Sequence, residues 1–161
     1  SRIYSINETY IKTIDEKELY NFFKEYVSKY KKSIDKSKED ILLKSMNFLK
    51  NKAKTLEDIW NNAQYIIDNK IEIRAEDKSL IDDLSKKVIK DFIAQYKKIS
   101  SLSRENLELV IKSLIDKYKT NFKGVGQPLR IALVGSRFGP GLYDVILSLD
   151  KAEVIKRLNK I

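Results

Sequence analysis

An all-α fold is predicted for this 161-residue chain, and three observations predict it. Apolar residues recur at the 3.6-residue spacing of a helix face through most of the sequence. All five glycines and both prolines lie between Gly124 and Gly141, so the long stretch before them carries neither helix breaker. The one strand-like run, 129–135, has no second run to pair with, and a lone strand leaves its backbone groups unsatisfied. Roughly seven or eight helices are expected, packed on one another.

Taken in order, Asn7 to Ile11 reads as a short lead-in. Asp15 and Glu18 have the spacing of a capping box. The helix they open carries Leu19, Phe22, Phe23, Tyr26, Val27 and Tyr30 on one stripe. Such a stripe is either a core face or an aromatic surface for stacking bases, and its regularity favours the core. After a polar break at 33–38, a second helix runs from about 39 to 50 with Leu42, Met46 and Leu49 inward. Lys50, Lys52 and Lys54 form a basic knot, and Thr55 with Asp58 caps a third helix. That helix is expected to place Leu56, Ile59, Trp60, Ala63, Ile66 and Ile67 in the core. Trp60, the only Trp, is read as core, not as a base-stacking ring.

Residues 69–77 read as a loop and as the boundary between two subdomains, 1–68 and 69–161. A fourth helix, about 78 to 98, carries Leu80, Ile81, Leu84, Val88, Phe92 and Tyr96, with its lysines on a solvated face. Ser103 caps a fifth, with Leu107, Val110, Ile111, Leu114, Ile115 and Tyr118 on its stripe. A short helix follows Gly141. Asp150 and Glu153 have the spacing of another capping box, opening a last helix that turns Val154, Ile155 and Leu158 inward.

The punctuated stretch admits two readings. A strand, a glycine turn and a helix would bind phosphate, but the spacing matches neither the dinucleotide nor the P-loop pattern. The helical reading puts Pro128 in a first turn, where its missing N–H is not needed. Leu129, Ala132 and Leu133 then share a buried face, Arg130 falls on the open side, and Gly135 ends the helix. Gly139, Pro140 and Gly141 make a tight turn, either a plain connector or a rigid edge that presents backbone groups to a base.

Composition narrows the chemistry. There is no Cys and no His, which removes thiolate and imidazole catalysis, disulfides and imidazole metal sites. No acidic cluster has metal-ligand spacing. No apolar run approaches the roughly 18 residues of a membrane span. Lys and Arg number 32 against 23 Asp and Glu, a net charge of +9. That excess suits a polyanionic partner such as nucleic acid, although a lysine-rich composition alone also produces it. The first residue is Ser1, and the sequence is expected to be part of a longer protein.

The segment GQPLRIALVGSRFGPGLYDVILSLDKAEVIKRL resembles the C-terminal end of bacterial glutamyl-tRNA synthetases. The family pattern there runs close to V-A-Q-P-L-R-x-A-L-T-G-S, then P-G-L-F-[DE]-[VI]-L and a final short helix. Two weaker matches stand in the right order, NETYIKTIDEKELYNF and NKAKTLEDIWNNAQYII. Between about 68 and 120 the likeness is one of helical pattern alone.

The resemblance implies a helical anticodon-binding cage of two small subdomains. The parent enzyme it implies is a class I glutamate–tRNA ligase using ATP and Mg²⁺, with this part holding tRNA-Glu and no cofactor of its own. The H-I-G-H-like and K-M-S-K-S-like catalytic motifs are absent here. It further implies a monomer in the cytoplasm, and anticodon contacts from Gln127, Arg130, Gly139, Pro140 and Leu142. Lys52 matches a basic position that reads another base. The family usually has Arg there, and Lys lacks the planar fork for bidentate reading. Val134 replaces the usual Thr, and Gly126 the usual Ala. Two other readings stay open on the residues alone: a basic helical protein-interaction module and a nucleotide-binding enzyme fragment.

Overall fold

The computed structural model describes residues 6–161, and every regular element among them is helical. The chain divides into two compact units, one ending at Asn69 and the other spanning Lys70–Ile161.

In the first unit the helices are α1 (Glu8–Thr13), α2 (Glu16–Tyr30), α3 (Glu39–Leu49), α4 (Leu56–Asn62) and α5 (Gln64–Ile67), with 3-10 turns at Lys36–Lys38 and Lys50–Lys52. The lead-in thus closes into a helix, because Asn7 Oδ1 accepts the N–H of Tyr10 at 2.8 Å. Helix α2 packs on α3 and α4 and buries Leu19, Tyr20, Phe23 and Val27. Its stripe is therefore core, with Tyr30 left in solvent. Thr55 and Asp58 form the full reciprocal capping box of α4. The expected third helix breaks at Ala63, whose ψ of −3° interrupts the turn before α5. Trp60 is corrected by the structure: it is half-exposed, with the Lys31 ammonium 5.6 Å from its ring centre. Tyr65, not expected in the core, is buried.

In the second unit the helices are α6 (Ala75–Lys78), α7 (Asp83–Lys97), α8 (Arg104–Lys117), α9 (Phe122–Val134), α10 (Leu142–Ser148) and α11 (Lys151–Asn159). Helix α9 is the hub: α7, α8, α10 and α11 all pack on it. Around it lie Val88, Phe92, Tyr96, Leu107, Ile111, Leu114, Val145, Ile146, Val154 and Leu158, all buried.

Four further expectations fail here or in the first unit for identifiable reasons. Asp15 and Asp150 do not cap with their side chains. Glu18 instead accepts from the Tyr10 hydroxyl at 3.4 Å, and Glu153 is taken by Arg157 at 2.8 Å. Helix α7 starts five residues later than expected, where Asp82 Oδ1 accepts the N–H of Ser85 at 2.8 Å. Leu84, in its first turn, is exposed, and Ser85 turns inward. Pro128 lies inside α9, not in its first turn. The helix begins earlier because Asn121 Oδ1 accepts the N–H of Gly124 at 2.8 Å. A proline in a helix interior costs about 3 kcal/mol, but seven of the thirteen α9 residues are buried. Tertiary packing on several sides offsets the penalty.

Candidate nucleic-acid interface

The loop joining α9 to α10 is built as a braced edge. Gly135 ends α9 in the left-handed conformation, φ +85°, and its N–H donates to Ile131 O at 2.8 Å. Its carbonyl accepts the N–H of Arg74 at 2.8 Å. A side chain there would force the neighbouring backbone to shift, since a Cβ would stand 2.4 Å from Glu72 O. Asp77 supplies the second brace. It is fully buried, and its Oδ2 accepts the N–H of Arg137 at 3.2 Å. Its Oδ1 lies 3.5 Å from Arg137 Nε. The Ser136 hydroxyl accepts from the N–H of Phe138 at 3.0 Å. Gly139 then takes φ +144°, a conformation that L side chains rarely adopt, and Gly141 opens α10.

A buried cation holds the other side of the loop's root. Arg157 on α11 is 3% exposed. Its Nε pairs with Glu153 at 2.8 Å, and its Nη1 donates to Leu133 O at 2.9 Å. Leu133 is in the last turn of α9, where carbonyls lack partners within the helix. A cation there also matches the helix dipole.

Gln127 and Arg130 stand three residues apart on α9 and so share a face. Both are half-buried. Arg130 is not on an open side as expected: its Nη1 donates to Arg137 O at 3.2 Å, joining helix to loop. Its Nε is buried with no hydrogen-bond partner among the described residues, and burial pulls its pKa below the usual guanidinium range. A donor held back from water in this way is costly, and its cost is recovered only by an acceptor. Pro140 and Leu142 are buried, which confines any contact from them to the backbone or a narrow side-chain edge. Gln127, Arg130, Gly139, Pro140 and Leu142 thus belong to one braced segment of the Lys70–Ile161 unit. Lys52 belongs to the other unit, exposed at the end of the Lys50–Lys52 turn.

Charge is unevenly divided. The Lys70–Ile161 unit has 19 Lys and Arg against 12 Asp and Glu, so it carries +7 of the total +9. Among the described residues, no group of three or more His, Cys, Asp or Glu could hold a metal ion. Among the described residues, no helix is long and apolar enough to cross a membrane.

Sequence reasoning missed Asp77, Arg137 and Arg157. Asp77 falls in the stretch expected to be a polar loop, with nothing local to mark it as buried, and the structure places it in α6. Arg157 left a trace: it follows Val154 by three positions and Glu153 by four, which puts it on the inward face beside an acid.

A family model described as an anticodon binding domain matches residues 16–161. A glutamate–tRNA ligase of Pelagibacter ubique (strain HTCC1062) is 56% identical over 162 residues, covering all of this chain and 35% of that protein. Glutamate–tRNA ligase 1 of Jannaschia sp. (strain CCS1) is 25% identical over 129 residues, 80% of this chain and 27% of that one. The chain therefore spans about a third of the length of these relatives. The crystal structure of a glutamate tRNA ligase from Elizabethkingia meningosepticum, in complex with its amino acid, matches with a TM-score of 0.77 at 21% identity. That match covers 96% of this chain and 30% of the other, and is a likeness of fold.

Proposed function

The chain belongs to the anticodon-binding domain family of glutamate–tRNA ligases, and from that premise we propose that it holds the anticodon end of tRNA-Glu. The single observation that carries this reading is the family match over residues 16–161. The braced edge at 135–141 supports it. Unpaired anticodon bases are splayed out and read by edge hydrogen bonds, stacking and backbone contacts. Arg130 supplies a fixed cation beside the edge, and Gln127 an amide that both donates and accepts. The turn at Gly139 and Pro140, leading into Leu142, presents backbone to the base. Lys52 meets another base with a point charge and discriminates less than Arg would.

The whole protein, on this reading, attaches glutamate to tRNA with ATP and Mg²⁺, as a monomer in the cytoplasm. Residues 1–68 and 69–161 serve as its two anticodon-binding subdomains. Catalysis and both cofactors belong to the rest of that protein. Dispersed lysines add a phosphate attraction that weakens as salt rises.

Filter binding at low and moderate salt tests the reading. Cognate tRNA should be retained, with the logarithm of its affinity falling linearly in log salt, and an unrelated acidic polymer should be retained far less. Equal retention of both would favour a basic protein-interaction module instead. Arg130→Ala should cost about 1–3 kcal/mol of anticodon-dependent binding.

A further inference from the structure

The α9–α10 loop carries one large side chain that none of these roles uses. Phe138 is 61% exposed, although burial would stabilise such a ring. It does not sit on a loose tip. Its own N–H donates to Ser136 Oγ at 3.0 Å. The residue before it is held at both ends, through Arg137 N–H to Asp77 Oδ2 and through Arg130 Nη1 to Arg137 O, each 3.2 Å. The Arg137 guanidinium carbon stands 4.9 Å from the Phe138 ring centre. A cation thus backs the ring, within the distance at which the ring quadrupole attracts it.

The geometry points to Phe138 as a stacking platform for one unpaired base of the bound RNA, with Arg137 holding the ring from behind. This rests on the anticodon-binding reading and adds to it a contact of a different kind. A phenyl ring has no hydrogen-bonding group, so it cannot read a base edge. It contributes affinity to whichever base lies against it. Arg130, one residue away through its bond to Arg137, stands beside the base so held. The +7 charge of this unit favours a nucleic acid over a neutral protein surface as the occupant. Stacking also requires a flat π-face, which separates it from plain apolar contact.

The test uses the full chain and anticodon stem-loop RNAs carrying fluorescent aminopurine at one loop position at a time. Binding should quench the fluorophore at one position. Phe138→Ala should abolish that quenching and weaken binding about 5- to 150-fold, the range expected for one base stack. Phe138→Tyr should keep both, and Phe138→Leu should behave like Ala. Melting curves should be unchanged, because the side chain is exposed. Full quenching and affinity in Phe138→Ala or Phe138→Leu, alongside weakened binding in Arg130→Ala, would overturn the platform and leave anticodon binding standing. If the unaltered chain bound none of the stem-loops, the platform and the anticodon reading would both be overturned.

Discussion

Replacing Gly135 by Ala tests whether the loop edge is held by backbone geometry. Gly135 sits at φ +85°, and the left-handed conformation costs a residue with a Cβ about 1–2 kcal/mol. The added Cβ would lie 2.4 Å from Glu72 O. That atom is backbone and cannot rotate away, so the 71–74 segment must shift. The shift puts at risk the Arg74 N–H bond to Gly135 O, 2.8 Å long, which is worth about 0.5–1.5 kcal/mol net. Alanine's smaller unfolded-state entropy returns about 0.4–1 kcal/mol. The net loss is about 2 kcal/mol, read by urea unfolding followed by far-ultraviolet circular dichroism. Gly126→Ala is the control. It is helical, and the nearest atoms its Cβ would meet belong to the ring of Phe122, at 3.0 Å, a half-exposed side chain that can swing aside. It should be neutral or gain up to about 1 kcal/mol. A loss below about 0.5 kcal/mol for Gly135→Ala, or a larger loss for Gly126→Ala, would refute the reasoning, since the order follows directly from the left-handed strain.

Three other substitutions bear on the core. Arg157→Ala leaves Glu153 half-buried and Leu133 O unpaired, and should destabilise by about 3 kcal/mol in the same unfolding assay. Tyr96→Phe removes a buried hydroxyl with no hydrogen-bond partner among the described residues, so it should be neutral or slightly stabilising. Burial pushes the Tyr96 phenol up to about 12, so the unfolded chain ionises first as pH rises above about 10. The wild-type chain therefore loses stability between those values, and Tyr96→Phe should lose less, as thermal melts across that range would show. Asp91 accepts from the Lys117 ammonium at 2.6 Å and the Tyr118 hydroxyl at 3.0 Å. The Lys117 contact comes first in holding its carboxyl below the usual range. A lowered folded pKa gives stability that is present above the unfolded value of about 3.9 and is lost as pH falls through the folded one. Asp91→Asn should therefore flatten the melting-temperature profile below about pH 4, and an unchanged acid slope would sink this assignment.

The elements legible in the sequence are those whose signals are local. The stripe of α3 appears as read and those of α2 and α8 in half of their expected members, and Thr55, Ser103 and Gly135 cap their helices as expected. Those residues act within three or four positions of themselves. The interior position of Pro128 was not legible, because what permits it is packing by four other helices. Nor was the burial of Asp77, whose partner Arg137 lies 60 residues away. The capping boxes at Asp15 and Asp150 do not form: neither aspartate side chain makes a cap bond, and the acid three residues on bonds elsewhere, Glu18 with Tyr10 and Glu153 with Arg157. The candidate segment stands out in the sequence through its Q-P-L-R and P-G-L strings. The brace that shapes it does not, because it joins 71–77 to 135–137 across the fold.

The most direct test of anticodon recognition is equilibrium binding of this chain to two transcripts at one moderate salt concentration. One is tRNA-Glu, and the other is the same transcript with its three anticodon bases replaced. If the edge at 135–141 reads bases, replacement should weaken binding by about 1–3 kcal/mol for each contacted base. Arg130→Ala should then narrow the gap between the two transcripts by about 1–3 kcal/mol. Equal affinity of the unaltered chain for both transcripts would contradict the account and leave only nonspecific attraction to phosphate.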